Sequence, residues 1–377
     1  GLIMALNVVS SDRLSTNVEL SNLNSGFGQL GARNVIQNGA AAVAQRWTSK
    51  TGITGANWIV DRFKFDAGSI GTYTVSQDSS GPAGFANSMK VLVTSVASPS
   101  AASLAQIMIS LEGQDLQRFC KGTSSAKKFA LSFWVKAKVT GTYVVELYDQ
   151  DNTRQTSKQY SISAADTWEK KTVIFEADTT GAFDDDNAKS LVVFWKLVAG
   201  SNWNSGTLQT SWAANNNANR AVGQVNGMAT NNDYFQLTGV QLEAGDTATD
   251  FEHRSFSDEL WTCRRYCQAS KADDNDFLFG PGYEGGDGSF YMPVMLNPPM
   301  RAAPSMTVHS GNWKQVGDGG QSSEYTSAMT AYDQQPGPIH TSLLFWKDTD
   351  YPSSKDGRTQ WMRAGTNSTV VALEAEL

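Results

Sequence analysis

Cysteine and charge are scarce in this sequence, and each shortage excludes a class of protein. Three Cys in 377 residues are too few, and odd in number, for a secreted domain held by a disulfide framework. Charged residues make up 18% of the chain, below the roughly 25% of an average domain. Lys and Arg are fewer than Asp and Glu, and the formal net charge is −7. Since no cationic field exists to attract nucleic acid or anionic lipid, we expect no nucleic-acid partner.

Long apolar runs are missing too. No segment approaches the roughly eighteen consecutive apolar residues of a membrane-spanning helix. The opening residues 1–6 are apolar, but they are few and lack a basic leading region, so they predict neither a signal peptide nor a membrane anchor. We expect a soluble product without an export signal and without membrane insertion.

Glycine and aromatic residues, in contrast, are plentiful. The 33 Gly and the long Asn, Ser and Thr stretches are typical of loop-rich, all-β extracellular or virion proteins. Hydrophobic residues make up 40% and aromatic residues 10% of the chain, which suffices for a folded core. At about 150 residues per domain, the length predicts two domains.

Strand-like runs between turn signals predict the fold class. Between residues 58 and 242 they are Trp58–Phe65, Gly71–Ser76, Ser88–Val96, Leu104–Leu111, Phe129–Ala137, Thr142–Tyr148, Lys170–Phe175, Leu191–Leu197 and Tyr234–Leu242. Several alternate between large apolar and smaller or polar residues, as strands with one buried face do. Trp134, Trp195 and Trp346 lie inside apolar runs and are expected in the core. The number and spacing of the runs predict an all-β protein, in which a smaller C-terminal β-sandwich follows a jelly-roll type β-sandwich.

Changes of pattern along the chain predict four segments. Residues 1–33 show no sustained period and predict an extended attachment arm that docks on another protein. Residues 34–255 contain the jelly-roll domain. Residues 256–270 predict a short helical linker capped by Ser257, and residues 271–377 predict the C-terminal β domain.

Motifs of catalysis are absent from the sequence. Its three His have no second His or carboxylate at metal-like spacing. It contains no GxxxxGK[ST], HExxH or GxSxG motif. Carboxylate pairs such as Glu112 with Asp115, or Asp149 with Asp151, do not stand out among 37 acidic residues. We therefore expect a non-enzymatic protein without a cofactor.

One acidic run offers hard oxygen ligands. Asp184, Asp185 and Asp186 lie together in a predicted loop, where carboxylates could bind a calcium ion, although their order is not that of an EF-hand. A solvated acidic turn is the alternative. Apart from these three weak calcium candidates, the sequence predicts no metal site.

The connection over residues 200–232 is far longer than the usual four to six residues, and loops of that length tend to be functional or disordered. Two tryptophans in this loop have polar neighbours. Because a sugar ring has apolar faces ringed by hydroxyls, such surroundings favour glycan binding. The candidate glycan-binding residues are Trp203, Trp212, Asn215, Asn217 and Arg220. Alternatively, the tryptophans pin the loop to the sandwich or pack in a subunit interface.

Eight blocks of the sequence resemble a module of bacteriophage virion proteins. In chain order they read NVIQNGAAAVAQRWTS, VDRFKF, SMKVLVTS, LEGQDLQRF, LSFWVKAKVTGTYVVELYD, TWEKKTVIFEADTTG, LVVFWKLVAGSNW and FQLTGVQLEAGDTATDFEHRSFSDELWTCRRYCQ. They cover about residues 34–268. The chain is similar to tail-fibre-like proteins that carry a jelly-roll domain resembling a carbohydrate-binding module. Phe290–Val294 and Met300–Pro304 resemble a strand and a turn of the smaller β domain that often follows.

The resemblance implies a phage virion structural protein, a tail fibre or similar appendage, that contributes to host attachment through its β-sandwiches. We expect a homo-oligomer, a trimer, that is held by other virion proteins through residues 1–33 and contacts a host cell-surface glycan. Two alternatives stay open: a head fibre or capsid decoration protein with a purely structural role, and a glycan-degrading tailspike. The resemblance transfers no catalytic and no sugar-binding residue to this chain.

Overall fold

The structure is a computed structural model that describes residues 33–68, 70–284, 289–317, 322–325, 330–331, 339–347 and 359–377. The predicted attachment arm, residues 1–33, lies outside the described residues except for Arg33. Most of the described chain consists of antiparallel β-strands.

Thirteen of the described strands form an N-terminal sandwich. They are β1 Ser49–Ile53, β2 Asn57–Val60, β3 Phe63–Gly68, β4 Thr72–Asp78, β5 Ser88–Ser95, β6 Leu104–Glu112, β7 Phe129–Ala137, β8 Gly141–Asp149, β9 Arg154–Ile162, β10 Glu169–Phe175, β11 Lys189–Ala199, β12 Ala213–Ala214 and β13 Tyr234–Ala244. The first sheet has the order β1-β4-β5-β13-β7-β10, and the second sheet has the order β12-β9-β8-β11-β6-β3-β2. Strands β5, β6, β7 and β8 alternate between the first and the second sheet, as strands of a jelly roll do.

Side chains from both sheets meet in one hydrophobic core. Phe133 on β7 packs edge-on against Trp195 on β11, with ring centroids 5.9 Å apart, and against Tyr160 on β9 at 5.1 Å. Phe65 on β3 contacts Tyr73 on β4 in the same way at 4.9 Å. Because each of these contacts joins one sheet to the other, the aromatic core holds the sandwich together.

The remaining described strands form a second, smaller sandwich. They are β14 Cys267–Ala272, β15 Phe277–Glu284, β16 Ser289–Met300, β17 Ser305–Ser310, β18 Trp313–Gly317, β19 Ser322–Tyr325, β20 Thr330–Ala331, β21 Ile339–Lys347, β22 Thr359–Ala364 and β23 Thr369–Glu374. A sheet of order β14-β23-β17 faces a sheet of order β19-β18-β22-β15-β16-β21-β20. A core that includes Phe290, Trp313 and Leu373 lies between them. The predicted all-β fold class, with two successive sandwiches, is confirmed.

The helices of the described chain are short: α1 Gly113–Leu116, α2 Ser201–Asn204 and α3 Phe256–Arg264. None in the described ranges has the length and apolarity to cross a membrane. Helix α3 is capped by Ser255, whose hydroxyl accepts a bond from the Asp258 N–H at 3.1 Å, and not by Ser257 as predicted. It is also shorter than the predicted linker of residues 256–270, because β14 already begins at Cys267.

Buried charged residues join the two sandwiches. Arg46, 2% exposed, contacts Asp61 at 3.3 Å, Glu376 at 2.9 Å and also Glu374. Arg62 donates to Glu376 at 2.7 Å. The two arginines and Asp61 belong to the N-terminal sandwich, whereas both glutamates lie at or beyond the end of β23. These ion pairs therefore cross the junction between the sandwiches.

We expect this junction to weaken in acid. Burial opposes ionisation of Glu374, but the hydrogen bond from His309 and the charge of Arg46 outweigh it and lower the pKa of Glu374 to about 2 from its usual 4.5. A carboxylate with a lowered folded-state pKa stabilises the fold above its unfolded pKa, so this contribution is lost as the pH falls from about 4.5 toward about 2. Denaturant unfolding across that range measures the loss. If Glu374→Gln unfolds with the same acid dependence as the parent protein, the assignment is wrong.

Candidate functional site

Residues 200–232, predicted as a functional or disordered loop, are folded onto the outer face of the second sheet. The segment contains α2, the short strand β12 beside β9, and a 3-10 turn at Asn217–Asn219. Side chains of β9 donate hydrogen bonds to backbone carbonyls of the segment: Gln155 to Asn216 at 3.1 Å, Ser157 to Arg220 at 3.0 Å and Gln159 to Val222 at 3.0 Å. The segment is therefore a layer of the fold that covers part of this sheet.

Both tryptophans of this segment attach it to the sandwich. Trp212 lies at the edge of the core, with its ring centroid 5.6 Å from that of Phe129. Its indole N–H donates to the Glu176 carbonyl at 2.8 Å. Trp203 is half-buried, and its indole N–H donates to the Ala102 carbonyl at 3.3 Å. This geometry favours the alternative in which the tryptophans pin the loop.

Arg220 reaches into the second sheet. Its Nε donates to Glu146 on β8 at 2.7 Å. Its guanidinium lies over three aromatic rings, those of Tyr148, Phe194 and Trp203, at 5.2, 5.4 and 5.4 Å from their centroids. Arg220 thus ties the segment to the sheet through an ion pair and cation–π contacts.

Glu146 also binds a second cation. Lys196 on β11 lies 2.7 Å from Glu146 and donates to Gln106 on β6 at 2.7 Å. Both charged side chains are 0% exposed. Burial opposes ionisation of Glu146, but Lys196 and Arg220 outweigh it and lower the pKa of the carboxyl; burial lowers the pKa of Lys196 to about 8. Lys196 and Arg220 thus compensate the negative charge of Glu146 inside the protein.

The two candidate asparagines lie farther from the sandwich than Arg220 does. Asn215 is half-buried and Asn217 is exposed, and the Asn215 Nδ2 lies 3.5 Å from the Asn217 Oδ1. All five candidates of the loop share one segment, yet its tryptophans and arginine serve the attachment of that segment. Glycan binding by these residues stays a prediction.

The acidic run of Asp184, Asp185 and Asp186 is exposed. The Asp184 N–H donates to Asp151 at 3.1 Å, and the Asp186 carboxylate accepts from the Ala188 N–H at 2.9 Å. Within the part of the chain that the structure describes, no group of three or more His, Cys, Asp or Glu is placed to hold a metal ion. The geometry favours the solvated turn over the calcium site.

Each carboxylate pair considered for glycoside cleavage has one member in a buried ion pair. Glu112 accepts two bonds from Arg265, at 2.9 and 2.7 Å, and Asp149 lies 2.5 Å from the Lys121 ammonium. Both carboxylates are 0% exposed. Neither pair has two carboxylates facing solvent.

The outer face of the first sheet carries a cluster of aromatic and polar side chains. On β7, Phe133 and Val135 point into the core, so Trp134 and Lys136 point outward. The same alternation on β13 places Tyr234 outward beside them. We call this surface the aromatic face; its residues are Asp78, Lys90, Trp134, Lys136, Asp166, Trp168, Tyr234 and Gln236.

Lysines lie against the rings of the aromatic face. The Lys136 ammonium is 5.1 Å from the ring centroid of Trp168 and 5.9 Å from that of Tyr234. Lys90 approaches Tyr234 at 5.3 Å and Asp78 at 3.1 Å. These contacts orient the rings while the charged groups stay partly hydrated.

Except for Gln236, which is 2% exposed, the polar groups of this face are accessible. The Lys90 and Asp78 side chains are 28% and 24% exposed, and the two tryptophans and Tyr234 are half-buried. The Tyr234 hydroxyl donates to Asp166 at 2.5 Å. Burial and this hydrogen bond raise the pKa of Tyr234, so the phenol stays protonated at neutral pH. The face therefore combines aromatic surface with donors and acceptors that solvent reaches.

A second aromatic group closes one end of this face. The rings of Phe85, Phe251 and His253 pack together with centroids 4.9 to 5.2 Å apart. Gly239 on β13 has a φ of +61°, and a Cβ there would lie 2.8 Å from Phe85 and 3.0 Å from Trp134. Glycine at this position thus allows both rings to pack against the strand.

Sequence reasoning missed the aromatic face because it assigned Trp134 to the core. That expectation is wrong for Trp134, which is half-buried on the outer face, and correct for Trp195, which is 0% exposed. The side chain of Trp346 lies outside the described residues. The alternation along β7 was the signal, since the residues on both sides of Trp134 are core residues.

The chain matches no protein-family model and no curated protein in sequence. Among solved structures it is similar to the enzymatically active domain of tailspike protein 4 of bacteriophage CBA120, with 13% identity and a TM-score of 0.28; the match covers 56% of this chain and 21% of that chain. The chain thus spans about a fifth of that tailspike domain.

Carbohydrate-binding modules of Clostridium thermocellum are also similar in structure. The family 11 module of the cellulosomal cellulase Lic26A-Cel5E has 12% identity and a TM-score of 0.27, with 54% of this chain and 99% of the module covered. The C-terminal family 22 module of Xyn10B has 10% identity and a TM-score of 0.29, with 58% and 99% covered. Likenesses of this strength assign no function to the chain.

Proposed function

We propose that the protein is a non-enzymatic structural component of a bacteriophage virion, a tail fibre or similar appendage, that binds a host-surface glycan through the aromatic face. The eight sequence blocks that resemble tail-fibre-like virion proteins support the virion role. One observation carries the glycan-binding role: three aromatic rings and two lysines share one accessible face of the jelly-roll sandwich.

The chemistry of this face suits a sugar ring. The C–H faces of a pyranose pack against Trp134 or Trp168, as apolar ligand surfaces pack against aromatic rings. Sugar hydroxyls donate to Asp78 and accept from Lys90, whose ion pair is partly exposed and exchanges its partners at small cost. Because neighbouring lysines already hold these aromatic side chains in place, they lose little conformational entropy when a glycan binds.

We further propose that the protein forms a homotrimer, which other virion proteins hold through residues 1–33. Several weak sites on one assembly then bind a glycan-coated surface firmly, because linking sites raises their effective concentration. A net charge of −7 per chain favours solubility of such an assembly.

Replacing Trp168 or Trp134 by alanine should weaken glycan binding about tenfold, because one stacking contact of about 1.4 kcal/mol is lost. A glycan array supplies the ligand. It should contain xylohexaose, β-1,4-galactotriose and a β-1,3-1,4-mixed-linked tetrasaccharide, which solved structures of similar proteins contain. Isothermal titration with the glycans that bind then measures the affinity of each variant.

Trp203→Ala is the matched control, since it removes a half-buried tryptophan from the segment that covers the opposite sheet. Loss of binding in Trp203→Ala, with normal affinity in both aromatic-face variants, would move the site to the 200–232 segment. An array without any bound glycan would contradict glycan binding. Release of reducing ends from a polysaccharide by the purified protein would contradict the non-enzymatic role.

A further inference from the structure

We infer that the chain has a second saccharide-binding site, in a groove where helix α3 meets the C-terminal sandwich. This inference goes beyond the proposed function, because no residue of the groove belongs to the aromatic face. The groove has two lobes, of about 540 and about 400 Å³, within the size range of small-ligand pockets. Both lobes are lined by Gln37, Asp115 and Thr262.

Trp261 supplies an exposed aromatic surface in the larger lobe. Its neighbours Glu259 and Cys263 are buried, so the helix turns Trp261 away from the core. The side chain is 49% exposed, which is unusual for so large an apolar group. Pro298 and Pro299 of β16 line the same lobe. The apolar ring face of a ligand in this lobe can therefore pack against the indole of Trp261 and the two proline rings.

Asp115 supplies a hydrogen-bond acceptor where the two lobes join. Its Oδ2 accepts from the Gln37 Nε2 at 3.3 Å, and the side chain lines both lobes. The side chain is half-buried. Burial and the nearby Glu112 raise the pKa of Asp115. Because a carboxylate accepts several hydrogen bonds, a ligand hydroxyl can donate to Asp115 without adding charge.

The walls of the groove are held in place by other residues. Arg265 donates two bonds to the buried Glu112, at 2.9 and 2.7 Å. In the smaller lobe, Arg254 donates to the carbonyls of Asn34 at 2.6 Å and Ile36 at 3.4 Å. A groove whose side chains are already fixed loses little entropy when a ligand binds.

A ligand that fits this groove needs a hydroxyl group to donate to Asp115 and an apolar ring face to pack on Trp261. A saccharide has both. The lining of the groove contains three carboxylates, of Asp115, Glu252 and Asp258, and three arginines, Arg118, Arg254 and Arg265, so its formal charges balance and favour neither a cationic nor an anionic sugar. A neutral oligosaccharide therefore fits best, with one ring on Trp261 and a hydroxyl at Asp115. The same glycan then contacts both sandwiches.

The test compares Trp261→Ala, Asp115→Asn and Phe256→Ala in the full chain on an array of neutral and anionic glycans. Phe256 is the matched control, since it is an exposed aromatic residue (62%) on the same helix that does not line the groove. We expect Trp261→Ala to lose about tenfold or more in affinity for at least one neutral glycan, and Asp115→Asn to lose less. Phe256→Ala should bind as the parent protein does.

Three outcomes overturn the inference: equal binding by Trp261→Ala and the parent protein to every glycan, an equal loss in Phe256→Ala, or no bound glycan at all. When a glycan binds, the variants distinguish failure of the groove from failure of the aromatic face. If only Trp168→Ala loses glycan affinity, the aromatic face is supported and the groove is rejected. If only Trp261→Ala loses glycan affinity, the groove is supported and the aromatic face is rejected. Circular dichroism of each variant checks that the fold is retained.

Discussion

Glu146→Gln should destabilise the N-terminal sandwich by about 3 to 5 kcal/mol, because it leaves the buried Lys196 cation without its counter-charge. Glu146 and Lys196 are both 0% exposed and lie 2.7 Å apart, and Arg220 pairs with the same carboxylate. The loss is measured as a shift in the urea unfolding midpoint. It should shrink as the pH rises through about 8, because Lys196 then becomes neutral in the folded parent protein too.

Two variants test this explanation. Glu176→Gln removes a carboxylate from an exposed pair with Lys128, where both side chains are about half exposed, and should cost under about 1 kcal/mol. Glu146→Gln combined with Lys196→Met removes the stranded cation, so the double variant should be more stable than Glu146→Gln alone. A double variant less stable than the single one would show that Lys196 contributes through packing instead.

Arg46→Met should separate the two sandwiches and cost about 3 to 5 kcal/mol, because three carboxylates lose their shared cation. Those carboxylates belong to Asp61, which is 1% exposed, and to Glu374 and Glu376 near the end of the chain. Burial already raises the pKa of Asp61 to about 6 despite the charge of Arg46. Without Arg46, we expect Asp61 to be protonated near neutral pH.

Unfolding in denaturant and limited proteolysis measure the separation. The Arg46→Met protein should unfold in two transitions and be cleaved between the sandwiches, whereas the parent protein should not. Arg154→Met is the matched control, since its ion pair with Asp178 at 2.8 Å lies within the N-terminal sandwich. Two transitions in both variants would show that any lost ion pair uncouples the sandwiches, and that Arg46 has no special role.

Strands with a clear alternation were predictable from sequence, and the exceptions have physical causes. Strand β7 has the predicted bounds, Phe129–Ala137. Strand β9 was missed because its sequence, RQTSKQYSI, is mostly polar. Three of those polar side chains bind the backbone of residues 200–232 on the outer face. No pattern within β9 indicates a partner that lies about sixty residues away in the chain. The predicted strand Trp58–Phe65 is split, because Arg62 adopts a φ of +71° in a turn between β2 and β3.

The candidate sites were less predictable than the fold. A search for tryptophan among amides found Trp203 and Trp212, which attach their segment to the sandwich. The aromatic face depends on which side of a strand Trp134 occupies, and this follows from the alternation once the strand register is known. The groove at Trp261 joins residues that lie far apart in the chain, and only the three-dimensional arrangement brings them together.

The position of β13 in the first sheet determines when the protein can fold. This strand lies between β5 and β7 and is the last of the N-terminal sandwich to be synthesised. Until Tyr234–Ala244 has left the ribosome, β5 and β7 each present an unpaired edge to which another chain can bind. Pairing over so large a sequence separation is also slow. The nascent chain is thus exposed to misassembly over most of the time needed to synthesise this sandwich.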